Sequence, residues 1–291
     1  MTEVLQAQRP IGDQLRQWRE RRRLSQLNLA GQADVSTRHL SYVETGRSQP
    51  SRDLILRLAE QLDLPLRERN HLLLAGGYAP IYAESALDSP QMSAVRAAIG
   101  QLMTSHEPYP AVVVDRTWNL VGSNSGVELF TGACAPWLLE PPANAMRLSL
   151  HPDGMAPYIV NLGEWRAHLL GRVRHQVAVT RDPALSELYA EIQSYPCDQP
   201  EPDVEVPGVN DIVVPLRVRL DGQIFAFFST VATFGTPLDI TVAELAIESF
   251  FPADTETQQF LWDHAAGIDQ TRERSVSGRA ILGEDPVESE A

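Results

Sequence analysis

The chain has 291 residues, 43% of them hydrophobic, which predicts two folded domains and excludes a disordered chain. Charge is divided unevenly along it. Residues 1–80 hold 12 arginines and 9 acidic residues, a net +3, whereas the remainder holds 12 arginines and 29 acidic residues, a net −17. A weakly basic head on a strongly acidic body predicts nucleic-acid binding at the N-terminal end only.

The positions of the two cysteines argue against a fold stabilised by zinc or by disulfides. Cys134 and Cys197 lie far apart, with no Cys-x-x-Cys motif and no histidine at ligand spacing, so neither a zinc site nor a disulfide framework is predicted. No apolar stretch approaches the roughly 20 residues that span a bilayer, and the N-terminus lacks a signal-peptide pattern. We expect a reduced, cytoplasmic protein without membrane insertion.

Residues 24–51 predict two short helices joined by a tight turn. Ser25 and Ser36 stand where an N-cap is favoured, and the apolar residues that flank each serine have the spacing of a hydrophobic staple. Gly46 is suited to end the second helix. Such a pair of helices is typical of a DNA-binding helix-turn-helix unit.

The second helix of this pair has a polar outer face. Its inner side carries Leu40 and Val43, and the opposite side presents an arginine and hydroxyls that suit base edges and phosphates in a major groove. Flanking polar residues are placed to contact phosphates and fix the register. An ordinary polar helix in a bundle is the alternative. The predicted DNA-binding residues are Gln26, Ser36, Thr37, Arg38, His39, Ser41, Tyr42, Arg47, Ser48 and Gln49.

This region resembles the XRE (phage-repressor-like) helix-turn-helix family over roughly residues 9–76. The matching motifs are Leu24-Ser25-Gln26, Leu29-Ala30, Ser36, Glu44-Thr45-Gly46 and Pro50-Ser51. The resemblance implies a structural pair between Arg19 and Glu44. Asp34 stands at the turn position that is usually a small residue, and it can adopt the left-handed conformation expected there.

The helical pattern continues beyond this unit. Apolar spacing predicts helices over Arg52–Leu62 and Leu66–Ala75, which makes five helices in the head, and Gly76-Gly77 ends the last one. A proline-punctuated linker follows from Tyr78 to Pro90. Residues 91–105 predict a further helix whose apolar stripe packs either on a neighbouring domain or on the same helix of a second subunit.

The remaining chain predicts two strands, then helices, then three strands. The order is that of a PAS-like sensor with an antiparallel sheet covered by helices, and Asp221-Gly222 is a strong two-residue hairpin signal. The predicted strands are Pro110–Asp115, Trp118–Val121, Asp211–Leu220, Gln223–Phe234 and Glu244–Phe251. The predicted helices are a short one capped by Ser123 or Asn124, then His151–Asn161, Glu164–Thr180 and Pro183–Tyr195.

Further motifs resemble the bacterial regulators that carry an MmyB-like ligand-binding domain after an XRE head. They are Glu68 to Pro80, His106 to Leu120, His151-Pro-Asp-Gly and Phe228 to Asp239. The resemblance implies a transcription factor with a PAS-like sensor that holds a fatty-acid-like ligand. We therefore expect an α+β protein of two domains, divided into a helix-turn-helix domain (1–77), a linker and connecting helix (78–105), the sensor (106–254) and an acidic helix and tail (255–291).

The second domain carries no coherent catalytic set. His151-Pro-Asp-Gly lacks a nucleophile motif and suits a turn, and His168 and His175 lack a third metal ligand. We expect no enzyme and no required cofactor, apart from a bound fatty acid or similar amphiphile. The predicted ligand-binding residues are Trp118, Asn124, Phe130, Trp137, Met146, Arg147, Asn161, Trp165, Phe227, Thr233 and Phe234.

The expected partners are double-stranded DNA with a palindromic operator, a small hydrophobic ligand and a second copy of the chain, because helix-turn-helix heads bind paired half-sites. Two alternatives stay open. The second domain could be a protein-interaction module without a ligand, or an enzyme that the head localises to DNA. The sequence does not identify the operator or the sign of regulation.

Overall fold

The computed structural model describes residues 10–180, 182–200 and 213–266. The chain divides into two compact units: residues 1–96 with 233–245, and residues 97–232 with 246–291. The protein is α+β, as predicted. The acidic tail beyond residue 266 and the predicted strand start at residues 211–212 lie outside the described residues.

The described part of the head contains five helices, as predicted. They are α1 Ile11–Arg21, α2 Gln26–Gln32, α3 Thr37–Glu44, α4 Arg52–Gln61 and α5 Leu66–Ala75. The Ser25 hydroxyl accepts a hydrogen bond from the Asn28 N–H, and the Ser36 hydroxyl accepts one from the His39 N–H. Both predicted N-caps are confirmed, and each satisfies a backbone donor that its helix leaves free.

Tight turns and close packing fix the angle between these helices. Asp34 and Gly46 have φ of +52° and +71°, so both predicted turn positions adopt the left-handed conformation. A Cβ atom on Gly12 would lie 2.4 Å from the Val43 carbonyl oxygen, so α1 approaches the end of α3 directly. The core of this unit is built from fully buried aliphatic residues such as Leu15 and Ile55.

The second unit contains a five-stranded sheet. Its strands are β1 Ala111–Val114, β2 Leu120–Ser123, β3 Leu216–Leu220, β4 Gln223–Thr233 and β5 Ala246–Pro252, in the order β2-β1-β5-β4-β3. The pairs β1–β2, β1–β5 and β3–β4 are antiparallel. Leu220 pairs with Gln223, and Asp221 and Gly222 both have positive φ, which confirms the predicted hairpin.

Most of the following helices share the core of this sheet, and the first, which contributes no residue to that core, precedes the sheet in the chain. They are α6 Ser93–His106, which starts in the first unit, α7 Glu128–Thr131, α8 Ala145–Leu150, α9 Leu162–Thr180 and α10 Pro183–Gln193. One apolar cluster joins sheet residues such as Val112 and Phe225 to helix residues such as Trp165 and Leu185. Residues 255–266 are helical as well. The described helices include none that is long and apolar enough to cross a bilayer.

One predicted helix is wrong, and two predicted strands start later than expected. The helix predicted over His151–Asn161 is a turn and a single 3₁₀ turn, Ala156–Tyr158, because Pro152, Gly154 and Pro157 interrupt it. The strand predicted from residue 211 begins at Leu216. The strand predicted from Glu244 begins at Ala246, because a short helix, α11 Ile240–Ala243, precedes it.

Smaller corrections concern strand ends and one cap. Phe234 lies just beyond β4 rather than inside it. Trp118 precedes β2 and has φ of +69°, since it belongs to the turn after Asp115. The Asn124 side chain does not cap the following helix, because its oxygen accepts from the Ala111 N–H and its amide donates to the Tyr109 carbonyl.

Candidate DNA-binding surface and ligand cavity

The outer face of α3 carries an arginine held by a tyrosine. The Arg38 Nε donates a hydrogen bond of 2.9 Å to the Tyr42 hydroxyl. The guanidinium groups of Arg38 and Arg47 lie 5.4 and 6.0 Å from the centre of the Tyr42 ring. Both arginines are exposed. This arrangement presents two positive charges on one side of the helix in a restricted geometry, which suits the bidentate contacts that arginine makes with guanine.

Other predicted contact residues surround this group. Thr37, Ser41 and Ser48 are half-buried, and His39 is exposed. The hydroxyl of Ser36 is occupied as the N-cap of α3. The side-chain amide of Gln49 donates to the Gly76 carbonyl, so it anchors the turn after α3 to the end of α5.

A buried ion pair supports α3 from behind. Glu44 accepts hydrogen bonds from Arg19 Nε at 2.6 Å and Nη2 at 2.9 Å, so the structure brings together the two residues implied to pair. Gln26 also donates its side-chain amide to Glu44, at 2.7 Å. The bond from Glu44 raises the pKa of Arg19. These contacts join α1, α2 and α3, and they show that the amide predicted to contact phosphate is engaged inside the protein.

The second unit holds a cavity between its sheet and its helices. Sheet residues such as Val112, Leu216 and Phe250 line one side, and Trp165 and Leu169 of α9 line another. The wall is mainly apolar. Its polar lining residues are Thr131, Ser149 and Glu248. A largely apolar cavity with few polar groups is the usual form of a small-molecule site.

Glu248 is the buried acid of this wall. It lies on β5, opposite Val112 of β1, and is 5% exposed. Arg172 of α9 donates to its carboxylate at 2.9 Å. The Arg172 guanidinium lies 4.5 Å from the centre of the Trp118 ring. Neither Arg172 nor Trp118 lines the cavity, so the positive partner of Glu248 belongs to the surrounding protein rather than to the wall.

Comparisons with known proteins match both parts of the chain. The model of the MmyB-like transcription regulator ligand binding domain matches residues 95–262. The chain belongs to this family. A helix-turn-helix domain model matches residues 10–72. No protein among those with curated descriptions matches the chain.

This MmyB-like regulator therefore combines a DNA-binding domain with a ligand-binding domain. Three of the predicted ligand residues, Phe130, Met146 and Trp165, line the cavity. Trp118 and Phe227 are buried in the core outside its wall. The second unit's other predicted ligand residues are engaged elsewhere or turned away, and Thr233 and Phe234 fall in the first unit.

Each of those remaining residues has a definite place in the regulator. Arg147 binds Glu191, with 2.7 Å between Nη2 and Oε2. Asn161 donates to the Pro215 carbonyl and accepts from the Arg217 N–H, and Asn124 ties the Tyr109 and Ala111 backbone together. Trp137 is 51% exposed. Polar residues predicted to anchor a ligand are thus used to fix loops.

His151 has a structural role in its own turn. His151 Nδ1 accepts a hydrogen bond from the Asp153 N–H, which is the turn role that the sequence favoured. Among the described residues, no group of three or more histidine, cysteine or acidic side chains is placed to hold a metal ion.

Two features of the structure were not predicted from the sequence. Glu248 was absent from the predicted ligand residues, although it is the one charged residue of β5. Arg67 of α5 was also missed. It binds Glu244 through Nε and Nη2 at 2.8 and 2.9 Å, and it binds Glu84 as well, within the first unit. No sequence signal links Arg67 to a residue 177 positions away.

Proposed function

We propose that the protein is a transcription regulator of the XRE type that binds an operator through α3 and responds to a small amphiphile held in the cavity of a PAS-like domain. The observation that carries this proposal is the pairing of Arg38 with Tyr42 on the exposed face of a matched helix-turn-helix domain. A polar helix of an ordinary bundle has no need to fix an exposed arginine in this way.

In this proposal Arg38 reads a base, and Thr37 and Ser41 contact base edges or phosphates. Arg47, Ser48 and the neighbouring polar residues contact the flanking phosphates, which fixes the protein on the duplex without reading sequence. The net charge of −14 limits non-specific attraction, so base contacts carry more of the discrimination.

The test begins with selection of binding sites by the full-length protein from a random duplex library. Arg38→Ala is expected to lose roughly 1–3 kcal/mol on the selected site and to relax discrimination at one base pair. Arg57→Ala removes another exposed arginine from α4 and serves as the matched control. Equal losses for Arg38→Ala on selected and random duplexes would contradict the assignment of the reading face.

For the ligand we propose an amphiphile whose long apolar chain is of the fatty-acid type. The mainly apolar wall supports this class. Native mass spectrometry of the purified protein should detect a bound amphiphile in stoichiometric amount. Organic extraction should release this amphiphile, and the adduct should then be absent. A protein that carries no adduct and binds no added amphiphile would favour an interaction module instead.

We further propose a homodimer on a palindromic operator, because helix-turn-helix heads read half-sites about one duplex turn apart. The ligand would act by stabilising one of two arrangements of the protein. The segment 233–245 supports this step, since it follows β4, contacts α5 through Glu244 and leads directly into β5, which carries two cavity residues. Sedimentation of the protein with its selected duplex tests the dimer.

A further inference from the structure

The cavity wall has an electrostatic preference. Among the described residues that line it, Glu248 alone carries a formal charge. Thr131 already donates its hydroxyl to the Val127 carbonyl, and the Ser149 hydroxyl accepts from Trp165 Nε1 at 2.9 Å. The Ser149 hydroxyl keeps its own proton, but the charged group of this wall is a carboxylate, which accepts hydrogen bonds and does not donate them.

The charge of Glu248 is compensated from outside the cavity. Arg172 donates to one carboxylate oxygen, Oε1, while its guanidinium rests on Trp118, and neither residue lines the wall. His168 lies near this pair, but burial is the main cause that lowers its pKa, so it stays neutral near pH 7 and adds no second positive charge. Of this ion pair, only the negative partner belongs to a residue that lines the cavity.

This arrangement discriminates between amphiphiles by their polar group. A ligand carboxylate beside Glu248 would place two negative charges together where little water can screen them, which is costly. A hydroxyl or amine would donate to Glu248 and form a charge-assisted hydrogen bond, which is stronger than a neutral one. The same apolar chain thus binds well or badly according to its head group.

We propose that the natural ligand carries a hydrogen-bond donor, an alcohol or an amine, that binds the Glu248 carboxylate, and that Glu248 disfavours carboxylate-headed amphiphiles. This inference rests on the proposed ligand-binding function of the cavity and specifies its ligand class. Glu248 is then the residue that determines specificity, and Arg172 positions it.

Calorimetric titration of the full-length protein with decanol, decylamine and decanoate at neutral pH tests the proposal, because the three probes share one chain. The wild type should bind decanol or decylamine roughly tenfold more tightly than decanoate, the difference expected from one charge-assisted hydrogen bond. Preference for the alcohol alone identifies a neutral donor, and preference for the amine alone identifies a cation. Equal or tighter binding of decanoate overturns the proposal while the ligand-binding function stands. Binding of none of the three overturns both.

The variant Glu248→Gln keeps the side-chain size and removes the charge. It should lose most of the preference, mainly because decanoate gains affinity. Glu191→Gln is the matched control, because Glu191 is also bound by an arginine in the same unit but does not line the cavity. It should keep the wild-type order. If Glu248→Gln fails to fold, the wild-type order of affinities still decides the question.

Discussion

The buried pair behind α3 should decide the stability of the head. Glu44 is 4% exposed and accepts bonds from two Arg19 nitrogens and from Gln26. Glu44→Gln removes the buried charge that pairs with Arg19, a loss that costs roughly 3–5 kcal/mol in comparable cases, although Glu20 lies 3.7 Å from the Arg19 guanidinium and keeps part of the attraction. We expect a value near about 3 kcal/mol, because Arg19 also donates to the Leu24 carbonyl and keeps that bond.

Hydrogen exchange of the α1–α3 amides in the full-length protein measures this change. The variant should lower the free energy of opening of the head and leave that of the second unit unchanged. Arg16→Gln is the control, since it breaks the exposed pair between Arg16 and Glu20 and should leave exchange unchanged. The double variant Arg19→Met/Glu44→Leu should recover most of the loss, because no buried charge remains. If Glu44→Gln perturbs exchange no more than Arg16→Gln, the pair does not hold the helices together.

Three further outcomes are expected. Gly12→Ala should destabilise the head by about 1–3 kcal/mol in denaturant titrations, because its methyl group would overlap the Val43 carbonyl. Burial lowers the pKa of His168, so the unfolded chain binds a proton more readily; the free energy of unfolding should fall as pH drops below about 6.5, and His168→Gln should flatten that slope. Glu244→Gln, which breaks one contact of Arg67, should leave the DNA affinity of ligand-free protein unchanged and reduce the effect of ligand on it.

The head was predictable because its signals are local. Ser36 caps the N–H three residues ahead, and Gly46 and Asp34 adopt positive φ within their own turns, so neighbouring residues suffice to predict them. The pair between Arg19 and Glu44 joins residues 25 positions apart, and only the family resemblance indicated it. The helical period alone could not have distinguished Glu44 from the other acidic residues of the head as the partner of Arg19.

The second unit was predictable in outline and less so in its site. The succession of two strands, helices and three strands followed from the sequence pattern, and the hairpin followed from Asp221-Gly222. The cavity did not, because apolar content identifies core residues without showing where packing between sheet and helices leaves space. Phe227 is fully buried and fills the core, whereas Phe130, 5.2 Å away between ring centres, lines the cavity. Both residues are phenylalanines on apolar faces, so the sequence alone could not show which of them lines the cavity.

Glu248 breaks the pattern of its own strand, since Ala246, Glu248 and Phe250 share one face of β5 by the period of two. A buried acid on an inward face conflicts with folding unless something requires it, and such conflicts are expected at functional sites. If Glu248 serves ligand binding rather than stability, the double variant Glu248→Leu/Arg172→Met should have a free energy of unfolding close to that of the wild type. Apolar residues can replace a buried ion pair without loss of stability. The same variant should lose the preference for donor-headed ligands in calorimetry. A large loss of stability would instead assign the pair to holding α9 on the sheet.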